Sequence, residues 1–282
     1  MIPPPEIAAA GQLACLLEVS APKPGNVSPN RHFHDTRYED FLASAVAIGP
    51  ALAQAHTLPL GMTIRRAVED TLRWTRSNTN LGIVLLLAPL ARAASHEAGT
   101  LRDRVSRVLA ETTVEDAAEV YAAIRQARPG GLGRASAEDV ANRPSVTLRE
   151  AMALAAERDS VAQEYVTRFA KTFETGVPAL LEARRKALTW SDAAVEAYIA
   201  LLESAPDTHI ARKLGMAEAE LVSRRAGEVR AAGATRTPEG RRALAELDYE
   251  LRDPRNRRNP GSTADLTCAA LFVVILEGGW DR

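Results

Sequence analysis

The sequence predicts an all-α protein, with a single multi-helix domain that spans residues 1–282. Helical spacing of apolar residues covers most of the chain, and neither a convincing pair of strands nor a fixed-period repeat interrupts it. Aromatic residues are only 5% of the total, while alanine is abundant. This composition packs closely spaced helices more easily than a β-sandwich, because sheets favour β-branched and aromatic side chains.

The predicted helices run through both halves of the chain and leave a proline- and glycine-rich stretch at 22–30 between the first two. In the first half they cover residues 5–20, 38–55, 61–76, 81–94, 101–110 and 114–127. In the second half they cover residues 147–174, 177–188, 192–204, 208–231 and 238–251. A last helix begins at Ser262 and stops at Gly278, because glycine is common just past a helix end.

Two of these helices, 81–94 and the last one, are apolar on every face. A helix without a polar face must be buried on all sides. The sequence therefore predicts two fully buried central helices around which the others pack.

Charge and hydropathy narrow the classes of partner. There are 35 basic and 36 acidic residues, a balance that gives no support for nucleic acid or an anionic membrane as the main partner. The longest apolar runs, 81–90 and 266–276, are shorter than the roughly 18 to 20 residues that span a bilayer. The start, MIPPPEIAAA, lacks the basic region of a secretory signal. We therefore expect a cytoplasmic protein without a membrane partner, and its oligomeric state stays open.

The first polar segment is PKPGNVSPNRHFHD, residues 22–35. Its prolines stiffen the backbone, Gly25 permits close approach, and Lys23 and Asn26 offer donors. Such a loop suits phosphate binding, although a rigid turn between two helices would need the same residues.

His34 and Asp35 close this segment. The spacing of His32 and His34 also occurs in metal sites, but no third ligand with evident spacing accompanies it. His34 beside Asp35 is better interpreted as an acid/base or substrate-orienting pair, because histidine titrates near neutral pH.

The second polar segment, Asn78, Thr79 and Asn80 after Ser77, directly precedes the buried helix 81–94. One such residue suffices as an N-cap. The free N–H groups at a helix N-terminus also attract anions. Capping alone, and capping combined with ligand binding, are both consistent with the pattern.

The third segment is PDTHIARKLG, residues 206–215. Asp207 is a natural N-cap, and His209 and Lys213 lie four residues apart on one helix face, with Arg212 beside them. The pattern is consistent with a solvated cationic face or with a clamp for phosphates.

The fourth segment, NPGSTAD at 259–265, precedes the last buried helix. Ser262 and Asp265 fit a capping box, while Asn259 adds a further polar group. If the polar starts of both buried helices face one cleft, they would form a preorganised anion site. Arg158, within an alanine-rich helix, is a further candidate ligand.

Taken in order, PKPGNV, the following His-Asp pair, NTNLG, DTHIARK and NPGSTADL resemble the triphosphoribosyl-dephospho-CoA synthase family. The motifs run from about residue 15 to residue 277. The resemblance implies an all-α transferase that joins the triphosphoribosyl part of ATP to 3′-dephospho-CoA and releases adenine. Carried over residue by residue, it points to Lys23, Pro24, Gly25, Asn26, His34, Asp35, Asn78, Thr79, Asn80, Asp207, Ser262 and Asp265.

The reaction implied by the resemblance assigns roles to these side chains. His34, Asp35 and Asp207 are the predicted catalytic residues, and Asp35, Asp207 and Asp265 are the predicted ligands of the Mg²⁺ that accompanies ATP. The substrate-binding set comprises Lys23, Pro24, Gly25, Asn26, Asn78, Thr79, Asn80, Arg158, His209, Arg212, Lys213, Asn259 and Ser262.

Two alternatives remain. The chain has RSNTNLG where the family sequence is closer to GGVNTHKG, and its mid-chain helices are similar to a branch encoded beside methanopterin and one-carbon genes. The first alternative is therefore a related ATP-using enzyme with a different acceptor, in the biosynthesis of such a cofactor. The second is a non-catalytic helical protein that binds a nucleotide.

Overall fold

The computed structural model describes residues 2–130, 133 and 137–281 and confirms the all-α fold. The described residues form fifteen α-helices, one π-helical turn and two 3₁₀ turns. Within that part of the chain, β-type pairing is limited to an isolated bridge between Ser28 and Arg31. None of the described helices is both long enough and apolar enough to cross a bilayer.

The chain forms two compact units. The N-terminal unit comprises Met1–Cys15 and Glu39–Phe169, and the C-terminal unit comprises Leu16–Tyr38 and Ala170–Arg282. One domain over residues 1–282 stays a prediction.

The N-terminal unit is built around one apolar helix. The first nine helices are α1 (Pro4–Ser20), α2 (Tyr38–Ala47), α3 (Gly49–Ala53), α4 (Leu60–Leu72), α5 (Leu81–Ala94), α6 (Leu101–Ala110), α7 (Val114–Ala127), α8 (Leu148–Ala155) and α9 (Ser160–Thr167). Helix α5 packs against α3, α4, α6 and α9, and its side chains are buried except near Gly82 and Arg92. This confirms the first predicted buried helix.

The C-terminal unit is built around the second apolar helix. After a π-helical turn at Thr172–Gly176 come α10 (Val177–Arg185), α11 (Trp190–Ser204), α12 (Thr208–Leu214), α13 (Met216–Ala231), α14 (Pro238–Leu251) and α15 (Gly261–Leu276). Helix α15 packs against α10, α11 and α12, and its residues from Leu266 to Val274 are all buried. The second predicted buried helix is confirmed as well.

Three predicted helices are interrupted: the span 38–55 is divided into α2 and α3 at Ile48, and two others are divided for local reasons. The span 147–174 is divided because Asp159 caps a new helix, accepting from the amides of Val161 and Ala162 at 2.9 and 3.1 Å. It breaks again where Arg168 and Phe169 take left-handed φ values of 60° and 57°. The span 208–231 is divided at Gly215, whose φ of 93° ends α12. A left-handed residue cannot continue a right-handed helix.

Gly176 allows the π-helical turn to approach α15 closely. A Cβ at this position would lie 2.9 Å from the Cβ of Ala270 and 3.3 Å from Cδ1 of Leu201. We expect Gly176→Ala to lower the free energy of unfolding by about 1 to 3 kcal/mol through overpacking. Urea denaturation followed by circular dichroism measures this change.

Gly227 in α13 is the matched control. A Cβ there would meet only the Glu203 side chain, at an ordinary contact distance of 3.4 Å. Gly227→Ala should therefore stabilise the protein by up to about 1 kcal/mol, because alanine is the better helix former. Equal effects of the two substitutions would contradict the proposed close packing at Gly176.

Candidate active site

The C-terminal unit contains three of the four polar segments, 22–35, 206–215 and 259–265. The fourth, 77–80, belongs to the N-terminal unit. Contacts within the C-terminal unit bring the three segments together around the first turn of α15.

The buried carboxylate of Asp207 joins two helix N-termini. Its Oδ1 accepts from the amides of His209 and Ile210 at 2.9 and 3.1 Å, which caps α12. Its Oδ2 accepts from the amide and hydroxyl of Thr263 at 2.8 and 2.7 Å, at the start of α15. Burial raises the pKa of Asp207, and the four donors oppose that shift by stabilising the charged form. The structure thus confirms Asp207 as the N-cap of α12. The same carboxylate also accepts hydrogen bonds at the start of α15.

This arrangement corrects the predicted capping box at Ser262. The cap position of α15 is Pro260, which has no side-chain hydrogen bond to the helix. The Ser262 hydroxyl instead lies 2.9 Å from that of Thr208, and the two are hydrogen-bonded. Ser262 does not cap α15, because Asp207 from a distant segment supplies the acceptor to the helix start.

His209 packs directly on the start of α15. A Cβ at Gly261 would lie 2.1 Å from Nδ1 of His209, so only glycine fits there. The pKa of His209 is lowered to about 3, first by burial and then by the charges of Lys213 and Arg212. The side chain is therefore a neutral imidazole at physiological pH.

The turn at Gly25 is held by α14. Gly25 has a φ of 75°, and its amide donates to Oδ1 of Asp248 at 2.8 Å. Arg252 forms a bidentate pair with Asp248, at 2.8 and 2.9 Å, and also donates to the Asn26 carbonyl at 2.9 Å. A Cβ at Gly25 would lie 2.9 Å from Leu251, so the close approach requires glycine.

The Asn26 side chain is also hydrogen-bonded within the unit. Its Nδ2 donates to the Pro24 carbonyl at 3.2 Å and to the Tyr198 hydroxyl at 3.0 Å. The same hydroxyl donates to the Pro24 carbonyl at 2.7 Å. The buried Tyr198, on α11, thereby holds the turn through both hydrogen bonds.

Lys23 is buried in an ion pair rather than exposed to solvent. Its Nζ lies 2.9 Å from Oε1 of Glu18 and also donates to the carbonyls of Glu18 and Ala21. The pair is fully within the unit, with side-chain exposures of 0% and 5%. In this conformation the predicted phosphate ligand is a structural cation.

His34 and Asp35 lie on the surface of the C-terminal unit. Nε2 of His34 is 3.7 Å from Oδ2 of Asp35, and the side chains are 58% and 62% exposed. Nδ1 of His34 contacts the side-chain amide of Asn256 at 2.9 Å, and the Lys213 ammonium lies 3.4 Å from the Asn256 carbonyl. The pair is therefore accessible, and Asn256 links it to the cationic face of α12.

The α12 face is cationic and partly buried. The pKa of Lys213 is lowered, first by burial and then by Arg212, while Asp253, Asp35 and Asp207 act in the opposite direction. Two adjacent cations of this kind are suited to an anionic group, because a bound phosphate would relieve their mutual repulsion.

In the N-terminal unit, residues 78–80 form a hydrogen-bonded start to α5. Oδ1 of Asn78 accepts from the Leu81 amide at 3.1 Å, Thr79 bonds the Ser44 hydroxyl at 2.5 Å, and Asn80 donates to Thr71 at 3.0 Å. Thr79 and Asn80 are buried, whereas Asn78 is exposed. The cap position is Asn80, whose side chain makes no capping bond, so Asn78 supplies the first amide of α5 with its acceptor from two residues earlier. Asn78 is also the accessible member of the segment.

The remaining candidates are dispersed. Arg158 is exposed in the turn before α9, in the N-terminal unit. Asp265 is partly exposed on α15. The side-chain oxygen of Asn259 is buried, and no described residue donates a hydrogen bond to it. Among the described residues, no three His, Cys, Asp or Glu side chains are grouped closely enough to hold a metal ion by themselves.

Sequence analysis missed Glu18, Tyr198, Asp248, Arg252 and Asn256. Glu18 had a local signal, a charged residue at the end of an apolar helix five positions before a candidate lysine. Asp248 and Arg252 had another, the i,i+4 spacing of an ion pair. Tyr198 and Asn256 act on residues more than 170 positions away, for which a single sequence offers no local pattern.

The architecture has a solved counterpart. A crystal structure of an Archaeoglobus fulgidus protein that carries the name triphosphoribosyl-dephospho-CoA synthase matches with a TM-score of 0.65 and 28% identity. The match covers 84% of this chain and 99% of that one. The fold class is thus that of a known helical protein.

The family follows from the sequence match. A family model described as ATP:dephospho-CoA triphosphoribosyl transferase matches residues 4–282. The chain belongs to this family, which confirms the resemblance stated from its motifs.

Curated relatives match over a shorter stretch. A 2-(5″-triphosphoribosyl)-3′-dephosphocoenzyme-A synthase of Klebsiella pneumoniae is 33% identical over 102 residues, 36% of each chain. A probable synthase of the same name from Stutzerimonas stutzeri is 32% identical over 105 residues, 37% of this chain and 36% of that one. In these matches the chain spans about a third of the relatives' length.

The buried pair of Lys23 and Glu18 leads to a stability prediction. Lys23→Met should lower the free energy of unfolding by about 3 to 5 kcal/mol, because it leaves the Glu18 carboxylate buried and unpaired. Adding Glu18→Gln should restore most of that loss. Denaturant titrations of both variants measure it, and equal stability of the single and double variants would contradict the pairing.

His209 leads to a pH prediction. Its pKa is lowered from about 6.5 in the unfolded chain to about 3 in the folded protein. The stability that this neutral histidine contributes is present above about pH 6.5 and is lost as the pH falls towards 3, because only the unfolded chain then takes up the proton. Between about pH 7.5 and pH 4.5 the unchanged protein should lose about 2.7 kcal/mol more than His209→Gln. Parallel urea titrations test this, and identical losses would show that His209 is not buried as a neutral group.

Proposed function

We propose that the protein transfers the triphosphoribosyl part of ATP to a dephospho-CoA-like hydroxyl acceptor and releases adenine. The observation that carries the proposal is the family match over residues 4–282. The gathering of three motif segments of that family in one unit supports it. Asp207 bonds Thr263, Gly25 lies against Pro260, and Asn256 bridges His34 and Lys213.

The reaction breaks the bond between the ribose anomeric carbon and the adenine nitrogen. The acceptor oxygen forms the new bond to that carbon and loses its proton, and the leaving adenine takes up a proton. Positive charge develops at the anomeric carbon, so the site must place an acceptor oxygen there and hold the triphosphate in position.

His34 and Asp35 are the groups best suited to move these protons. They are accessible, they lie 3.7 Å apart, and an imidazole beside a carboxylate serves as a general acid or base. Lys213 and Arg212 offer positive charge to the triphosphate. Asp207 acts indirectly in this scheme, because its four donors make it the anchor of α12 and α15.

The residues present fit a magnesium ion that arrives with ATP. Mg²⁺ usually keeps water and phosphate ligands and takes only one or two oxygens from the protein. The unpartnered amide oxygen of Asn259, at the start of α15, is such an oxygen, and Asp265 and Asp35 are partly exposed carboxylates of the same unit. When bound, the ion would neutralise charge on the triphosphate.

The test is the product formed from ATP. With Mg²⁺ and 3′-dephospho-CoA the protein should release free adenine in step with acceptor consumption, measured by chromatography. Release of ADP or phosphate would show a kinase or ATPase and reject the proposal. Adenine release with a pterin-type acceptor, and none with dephospho-CoA, would favour the alternative acceptor.

Two histidine variants test the proposed role of His34 in this reaction. His34→Gln should lower kcat for adenine release by about 100-fold, the usual contribution of a general acid or base. His56, an exposed histidine of the N-terminal unit, is the control, and His56→Gln should leave kcat unchanged. Equal kcat in both variants would exclude His34 from the proton transfers.

A further inference from the structure

Asn256 touches two of the predicted site residues at once. Its side-chain Nδ2 lies 2.9 Å from Nδ1 of His34, and its backbone carbonyl is the acceptor, at 3.4 Å, for the ammonium of Lys213. We infer that Asn256 is a positioning residue that fixes the tautomer of His34 and the place of Lys213.

The loop between α14 and α15 is built to present this residue. The Asp253 carboxylate accepts from three amides that surround Asn256, those of Arg255, Arg257 and Arg258, at 2.9, 2.7 and 3.1 Å. Asn256 itself closes a turn by donating its amide to the Asp253 carbonyl at 3.0 Å. These hydrogen bonds therefore support the backbone conformation of the loop where it meets His34.

The backbone conformation favours this residue type. Asn256 has a φ of 50°, in the left-handed region, where asparagine is several-fold enriched over other side chains except glycine. Glycine would satisfy the backbone but provide no amide. Asparagine satisfies both the conformation and the contact to His34.

The contact has a chemical consequence. An amide N–H that donates to Nδ1 leaves that nitrogen without a proton, so the neutral imidazole carries its proton on Nε2. Nε2 is the nitrogen that faces Asp35, 3.7 Å away. The reactive side of His34 is then Nε2, a role that rests on the proposed function.

The tautomer can be observed without any substrate. In the full chain labelled with ¹⁵N-histidine, His34→Gln identifies the signal of His34 among the five histidines. The unchanged protein should show an unprotonated Nδ1 that accepts a hydrogen bond. Asn256→Asp keeps the size of the side chain but presents only acceptors, so the proton should move to Nδ1. Asn256→Gly should lose the hydrogen-bond shift altogether.

Measurements of kcat and KM distinguish the contact of Asn256 with His34 from its contact with Lys213. Both variants should lower kcat for adenine release at least about tenfold. Asn256→Gly should leave KM for Mg·ATP unchanged, because the carbonyl that holds Lys213 is retained. Ala187→Gly, at another left-handed position with a φ of 58°, is the control and should alter neither signal nor turnover.

The outcomes are distinct. The same His34 signal in the unchanged protein and both variants would overturn the inference, whatever the turnover. A changed signal with unchanged kcat would overturn the positioning role. If the unchanged protein releases no adenine, the proposed function is rejected, and with it the role of Asn256 in turnover. The His34 signal would still show whether Asn256 donates to Nδ1.

Discussion

The start of α15 depends on one buried interaction, the acceptance of four hydrogen bonds by the Asp207 carboxylate. Helix α15 is largely apolar and is buried from Leu266 to Val274, and Ser262 and Thr263 at its start are buried as well. The amides at this buried start therefore need an acceptor inside the protein. Its own first residues do not supply one, because Pro260 occupies the cap position. The acceptor comes from Asp207, which thereby ties the 206–215 segment to the 259–265 segment.

The same constraint explains why so many polar groups of the site are already paired. The donors of the 22–26 turn are used within the unit, at Glu18, Asp248, Pro24 and Tyr198. Buried polar groups must be satisfied or they destabilise the fold, so a turn pressed against α14 and α15 cannot keep its donors free. The residues proposed for the chemistry, His34, Asp35 and Lys213, lie outside this layer. The turn is thus a support for the site, and a ligand role for Lys23 would require it to leave Glu18.

The sequence predicted the fold well where one physical signal dominated. Helices 81–94, 101–110 and 114–127 were predicted with the bounds that the structure shows, because apolar residues mark all three locally and threonine caps begin the last two. The breaks at Arg168, Phe169 and Gly215 were missed, since left-handed residues in a continuous apolar pattern are decided by tertiary packing. The cap of α15 was assigned to Ser262 for the same reason: the local S-x-x-D pattern was visible, but the distant Asp207 was not.

The polar excess before α5 shows how far a motif can be interpreted without a structure. One asparagine would cap the helix, and the surplus was consistent with capping alone or with capping combined with ligand binding. The structure accounts for most of the surplus within the N-terminal unit, since Thr79 bonds Ser44 and Asn80 bonds Thr71. Both side chains are buried, so neither is presented to a substrate. Of the three, only Asn78 combines exposure with a position at the helix start, where free amides and the helix dipole favour an anion. Any ligand role for this segment therefore depends on Asn78, and the buried pair explains why the backbone beneath it is held in place.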